Sequence, residues 1–193
     1  MSPSFNRIMI FGRPGSGKST FSLQLRDALS LPLYHLDRWF FIENWIERDK
    51  EEFLSLQKDF VNQERWIIDG NAMCSLDMRY RRADVAIFFC YPKITCLFRA
   101  VQRFFHKNPD IHDRAEGCRE AVQWDFVEYL WTFEKRFTPL IEQLQRQYPK
   151  TLFFKITHNQ EKNDLEKILK GNLSFIDTLV NKRRESRIKD ERR

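Results

Sequence analysis

Apolar residues recur along the chain in two alternating rhythms. Short continuous runs at Ile8-Met9-Ile10-Phe11, Leu33-Tyr34-His35-Leu36-Asp37, Arg65-Trp66-Ile67-Ile68-Asp69-Gly70, Val85-Ala86-Ile87-Phe88-Phe89-Cys90 and residues 151–156 predict five strands. The fourth is apolar throughout and is stopped by Tyr91-Pro92, as expected of a strand buried on both faces of a parallel sheet. Between the runs, apolar positions fall at helical spacing. They include Phe21, Leu25, Ala28 and Leu29, then Phe53, Leu56 and Phe60, and later Trp124, Val127, Leu130, Trp131, Phe137, Leu140, Ile141 and Leu144. Asp49 and Glu52 are spaced as a capping box, which predicts a helix start there. Helices are also expected over about 93–107 and 161–170, and Pro139 is expected to kink or divide the long one over about 121–148. The polar stretch 108–119, with Pro109 and Gly117, shows no period and predicts a mobile loop.

Strands alternating with helices argue for an α/β fold in three layers, with a parallel sheet between helices. At 193 residues the chain has length for one domain with a sizeable core. In such sheets, ligands bind outside the carboxyl ends of the strands. Of the six net positive charges, four come from the tail Lys182 to Arg193, which holds seven basic against three acidic side chains. The body is nearly balanced, so net charge gives little support for a nucleic-acid surface. Cys74, Cys90, Cys96 and Cys118 form no C-x-x-C pair, and no His/Cys spacing resembles a zinc site. Reduced thiols, no leader-like start and no run of eighteen apolar residues set the expectation of a soluble cytoplasmic protein without a membrane partner.

Between the first run and the first helix stands Gly12-Arg13-Pro14-Gly15-Ser16-Gly17-Lys18-Ser19-Thr20, which fits G-x-x-x-x-G-K-[ST] at every fixed position. Its glycines allow a tight bend that turns successive N–H groups inward around a polyphosphate, and the helix that follows presents its positive end to the same anion. Lys18 is placed to reach the β- and γ-phosphates, and the Ser19 hydroxyl to ligate Mg²⁺. The loop predicts ATP and Mg²⁺ as cofactors.

Two further strands end on carboxylates. Asp69 suits the water-mediated Mg²⁺ partner of Ser19, and a turn cap before Gly70 is the alternative. Asp37 suits a base or binding group for an acceptor hydroxyl, with a structural ion pair as the alternative. Phosphoryl transfer spreads negative charge over the moving group and calls for arginines. Arg103 is the first choice and Arg114 the second, with Arg99 and Arg119 beside them; Arg79, Arg81 and Arg82 form another cluster that suits either an anionic acceptor or a solvated surface. Thr157-His158-Asn159 follows the last strand, where adenine docks in this architecture. His35, His106, His112 and His158 are scattered and receive no catalytic role.

The loop 12–20, Leu36-Asp37, Trp66-Ile67-Ile68-Asp69-Gly70-Asn71, Arg82-Ala83-Asp84 running into Tyr91-Pro92, and Ala115-Glu116-Gly117-Cys118 together resemble the bacterial DNA topology modulation proteins, small P-loop proteins related to adenylate kinase and shikimate kinase. The resemblance spans roughly residues 7–156. It implies a nucleoside monophosphate kinase-like fold, strand order 2-3-1-4-5, ATP as donor, Mg²⁺ and a lid at about 108–119. The chain reads as a single kinase-like domain over 1–180 followed by a basic tail over 181–193, an addition to the family pattern. By the same resemblance Asp37 contacts the acceptor, and a lid arginine comparable to Arg103 or Arg114 meets the phosphates.

The expected function is ATP-dependent phosphorylation of a small-molecule acceptor, which stays open between a nucleoside, a nucleotide and another hydroxyl compound. The alternative is a nucleotide-gated regulator that binds DNA or protein, carried only by the basic tail. A GTPase switch is disfavoured, since there is no D-x-x-G and Asn181-Lys182-Arg183-Arg184 lacks the aspartate of N-K-x-D. Oligomeric state is not legible.

Overall fold

The computed structural model describes residues 5–42, 46–105 and 124–170. Five parallel strands form one sheet: β1 (Arg7–Gly12), β2 (Leu33–His35), β3 (Trp66–Asp69), β4 (Val85–Phe89) and β5 (Leu152–Ile156), in the spatial order 2-3-1-4-5. β1 lies at the centre, Met9 beside Ile68 on one flank and Ala86 on the other, and the strand is buried from Ile8 onward. β3 and β4 are likewise buried at every position, which is why their sequences are continuous apolar runs rather than alternating ones. β5 at the edge is more open, and Leu152 is exposed.

Helices α1 (Lys18–Leu29), α2 (Leu36–Phe40), α3 (Lys50–Asn62), α4 (Leu76–Arg82), α5 (Lys93–Phe105) and α6 (Trp124–Gln147) belong with the sheet to one compact unit, 6–157. Its core joins Met9, Phe11, Ile68, Ala86 and Phe88 of the strands to Phe53 and Phe60 of α3, Tyr80 of α4, and Phe133, Ile141 and Leu144 of α6. The capping box forms in half: Asp49 Oδ1 accepts from the amides of Glu51 and Glu52, while the Glu52 carboxylate pairs with Arg48. α7 (Asn159–Leu169) belongs to a second unit, and His158 caps it by accepting from the Glu161 amide. Among the described residues no helix is long and apolar enough to cross a membrane.

Two expectations need correction, and one stretch holds elements the sequence does not announce. The second run does not stay extended to Asp37: β2 ends at His35, and Asp37 lies in the first turn of α2. β2 pairs only with β3, whose ladder stops at Asp69 because Gly70 turns away with φ 144° and the Leu36 side chain fills the space beside it. Pro139 does not divide α6. It removes one intrahelical bond, to the carbonyl of Lys135, and both residues are on the exposed side where water can take that carbonyl. A 3-10 turn at Met73–Ser75 and α4 occupy a stretch where the apolar spacing is too short to announce a helix.

Candidate active site at the carboxyl ends of the strands

The loop after β1 is fixed by its neighbours. A Cβ on Gly12 would overlap the carbonyl of Phe89 at the end of β4, and one on Gly15 would overlap the carbonyl of Cys96 in α5. These two glycines let the loop lie against the backbone of the next elements. Gly17 differs: at φ 91° it caps α1, and a Cβ there would meet nothing within 4 Å. The open side of the loop is therefore at Gly17, where the amides at the start of α1 have no helical partners. Lys18 Nζ reaches back across the loop to the Arg13 carbonyl at 3.1 Å.

Arg13 offers no donor to the cradle. Its amide donates to Phe89 O at 2.8 Å, and its guanidinium, 2% exposed, turns into the protein. There it donates to the carbonyl of Tyr91 and to Glu134 Oε2 on α6 at 3.0 Å. Glu134 also accepts from Lys155 Nζ of β5 at 3.0 Å. Burial acts to raise the Glu134 pKa, but hydrogen bonds from Lys155, Cys90 and Arg13 hold it down at about 2. Burial first, then Glu134, pushes the Cys90 thiol up to about 11, which makes it inert.

At the end of β3, Asp69 is 4% exposed. Its Oδ2 receives His35 Nδ1 at 3.0 Å and lies 3.4 Å from Ser22 Oγ, while its Oδ1 is buried with no partner among the described residues. The Ser16 hydroxyl in the loop is likewise buried without a partner among the described residues. Ser22 also donates to the Ser19 carbonyl at 2.9 Å, which links the carboxylate to the first turn of α1. An orphaned carboxylate oxygen linked to a half-buried serine fits a magnesium ion whose other ligands are phosphate and water. No group of three or more His, Cys, Asp or Glu side chains forms a metal cage among the described residues.

Next to this centre lies a polar cluster on the acceptor side. Asn71, just past β3, accepts from the Gly12 amide at 2.9 Å, and its side chain lies by the Tyr129 hydroxyl of α6 and acts to lower its pKa. Burial, then the Asp37 carboxylate, pushes Tyr129 up to about 12. Arg79 of α4 is completely buried, donating to the carbonyls of Gly70 at 2.9 Å and Ala72 at 2.8 Å. Burial lowers its pKa to about 10 against the pull of Cys74, Asp69 and Asp37. Arg79 thus staples the turn that carries Asn71, whereas Arg81 is exposed and Arg82 is half-buried.

Asp69 reaches the first helix after the loop through Ser22, and the exposed Asp37 acts electrostatically on Arg79 and Tyr129. Arg103 lies on α5 but its side chain is outside the described residues, as are Arg114 and the expected lid. The arginine that the structure brings to the loop is Arg99, donating to the Ser16 carbonyl at 3.2 Å with its guanidinium 4.7 Å from the Tyr91 ring centre. His35 and Tyr129 had no motif to mark them, and Asn71 stood only at the end of a quoted stretch with no role assigned. The one available signal was topological: adjacent strands 2 and 3 both end on polar residues, and those residues become neighbours.

The fold is that of small P-loop kinases. Solved structures similar to the chain include shikimate kinase from Acinetobacter baumannii in complex with shikimate, with a TM-score of 0.57 and 16% identity over 88% of this chain and 94% of that one. Shikimate kinase from Bacteroides thetaiotaomicron gives 0.52 and 16% over 89% and 99%. A gluconokinase from Sinorhizobium meliloti 1021 gives 0.51 and 15% over 95% and 99%. At these identities the likeness establishes the fold. The sequence matches no protein-family model and no curated protein.

Proposed function

We propose that this chain is an ATP-dependent kinase that transfers the γ-phosphoryl group to a hydroxyl of a small-molecule acceptor. The observation that carries the reading is a loop open at Gly17 whose following helix brings Ser22 within 3.4 Å of Asp69, a carboxylate with its other oxygen unpartnered among the described residues. In this reading the amides of residues 15–20 bind the phosphates and Lys18 leaves the Arg13 carbonyl to meet the transferring group. The Ser19 hydroxyl, with Asp69 through water, would hold a magnesium ion, which would supply neutralisation of the phosphate charge. Asp37 orients the acceptor hydroxyl and takes its proton as the new oxygen–phosphorus bond forms and the bond from the γ-phosphorus to the bridging oxygen breaks, releasing ADP. Asn71 and Tyr129 shape the acceptor side, and Arg99, with Arg103 and Arg114, meets the polyphosphate.

The finer assignment to the DNA topology modulation proteins rests on the stretches quoted above and belongs to this proposal, as do a single kinase-like domain over 1–180, a lid at about 108–119, a separate tail and a cytoplasmic location. The acceptor is a nucleoside, a nucleotide or another hydroxyl compound; shikimate, bound in one of the similar structures, is one member of that class. The test is a screen of nucleosides, nucleotides, sugars and small hydroxy acids, shikimate included, for acceptor-dependent ADP release. One acceptor that stimulates release in the native chain but not in Lys18→Ala supports the reading; ADP release indifferent to every acceptor contradicts it.

A further inference from the structure

We infer that His35 is a positioning residue for Asp69: it commits one carboxylate oxygen to the protein and so leaves the other to the magnesium-bound water. The inference rests on the ATP and magnesium reading above. His35 and Asp69 are register partners at the last rung of the β2–β3 ladder, so their side chains leave the same face of the sheet as neighbours. The pair is nearly sealed from solvent, at 10% and 4% exposure, and Nδ1 lies 3.0 Å from Oδ2. A carboxylate only accepts, so Nδ1 carries the hydrogen and donates it.

Ser22 is the other polar neighbour, but a hydroxyl has a single hydrogen. The Ser19 carbonyl at 2.9 Å is better placed to receive it than Oδ2 at 3.4 Å. Among the described residues the imidazole therefore makes the one short bond that orients this carboxylate. Oδ1 is left buried and unpartnered, a costly state unless something else meets it. Two residues beyond His35 the same segment carries Asp37, so one imidazole also ties the acceptor-side carboxylate to the metal side.

The experiment measures ATP affinity calorimetrically for the native chain, His35→Ala, His35→Asn and His35→Gln, each with excess magnesium and again with EDTA. The Asn side-chain nitrogen can occupy the place of Nδ1 and the Gln nitrogen cannot, so the Asn and Gln pair keeps the test open if the alanine variant fails to fold. The expected result is that magnesium tightens ATP binding to the native chain and to His35→Asn. That tightening falls about tenfold or more in His35→Ala and His35→Gln, while the EDTA affinities agree. Bound Mn²⁺, read by its paramagnetic resonance signal in the ADP complex, should fall in the same order.

If magnesium tightens all variants equally, or the substitutions weaken binding equally with and without magnesium, His35 is structural and the inference is overturned while the kinase reading stands. If the native chain binds no ATP under either condition, both are overturned.

Discussion

The amide of Gly12, the first residue of the phosphate loop, is held by the side-chain oxygen of Asn71 at 2.9 Å, a bond that spans 59 residues of sequence. Asn71 thereby connects the start of the loop to the turn leaving β3, and its side chain lies by Tyr129 of α6. Asn71→Ala strands a buried donor and should cost about 1–3 kcal/mol, read from the denaturant midpoint. Asn71→Asp keeps an acceptor for Gly12 and should recover part of that loss. Equal stability of the native and alanine proteins would show that water replaces the bond at no cost.

The glycines of the loop divide into two kinds. Gly15→Ala forces a Cβ into the Cys96 carbonyl at φ 72° and should destabilise by about 3 kcal/mol, since backbone cannot move aside cheaply. Gly17→Ala meets open space and bears only the left-handed backbone cost, about 1–2 kcal/mol. ATP affinity in that variant should still drop sharply, because the new methyl stands beside the cradle. Unfolding curves and ATP titrations on the two variants separate these effects, and a Gly17→Ala protein with native affinity would move the phosphates elsewhere.

Asp37 is exposed, and its role is assigned to chemistry rather than stability. With a productive acceptor in hand, Asp37→Asn should lower kcat by about 10²–10⁴-fold, the range for loss of a positioned base. ATP affinity and the unfolding midpoint should hardly change. Unchanged turnover at saturating substrates would reduce Asp37 to a surface ion-pair residue.

Glu134 makes an acid-dependent contribution. Its carboxyl titrates at about 2 against a usual 4.5, so the stability it adds is fully present above about pH 4.5 and is lost as pH falls through 2. Glu134→Gln should therefore be less stable than the native chain at neutral pH, with the gap closing between pH 5 and pH 2. Because the carboxylate is 39% exposed, solvent screens it and the gap should be modest. A gap independent of pH would mean that the Arg13 and Lys155 bonds gain nothing from the ionised form.

The readable part of this molecule was the part governed by local rules. Ile8 to Phe11 and Val85 to Cys90 announce buried parallel strands because no polar residue interrupts them, and Gly12 to Thr20 announces the loop because its backbone requires glycine at fixed places. What stayed hidden depends on pairing across the sheet. His35 gains its role only through its register with Asp69, and Asn71 only because the turn at Gly70 aims it at Gly12. Arg13 reads as one more loop residue, although its side chain serves α6, because nothing local signals Glu134 more than a hundred residues away. Asp37 was misplaced by one element, since the end of β2 is set by where β3 stops.

The central claim is that residues 12–20 grip the phosphates of ATP with magnesium. Calorimetric titration of ATP into the folded chain in excess Mg²⁺ tests it most directly, with Lys18→Ala as the paired variant. Saturable one-to-one binding that is lost or weakened by at least about a hundredfold in the variant is the predicted result, in keeping with loss of a desolvated charge-assisted contact. No heat of binding to the native chain, or equal binding to both proteins, would contradict it.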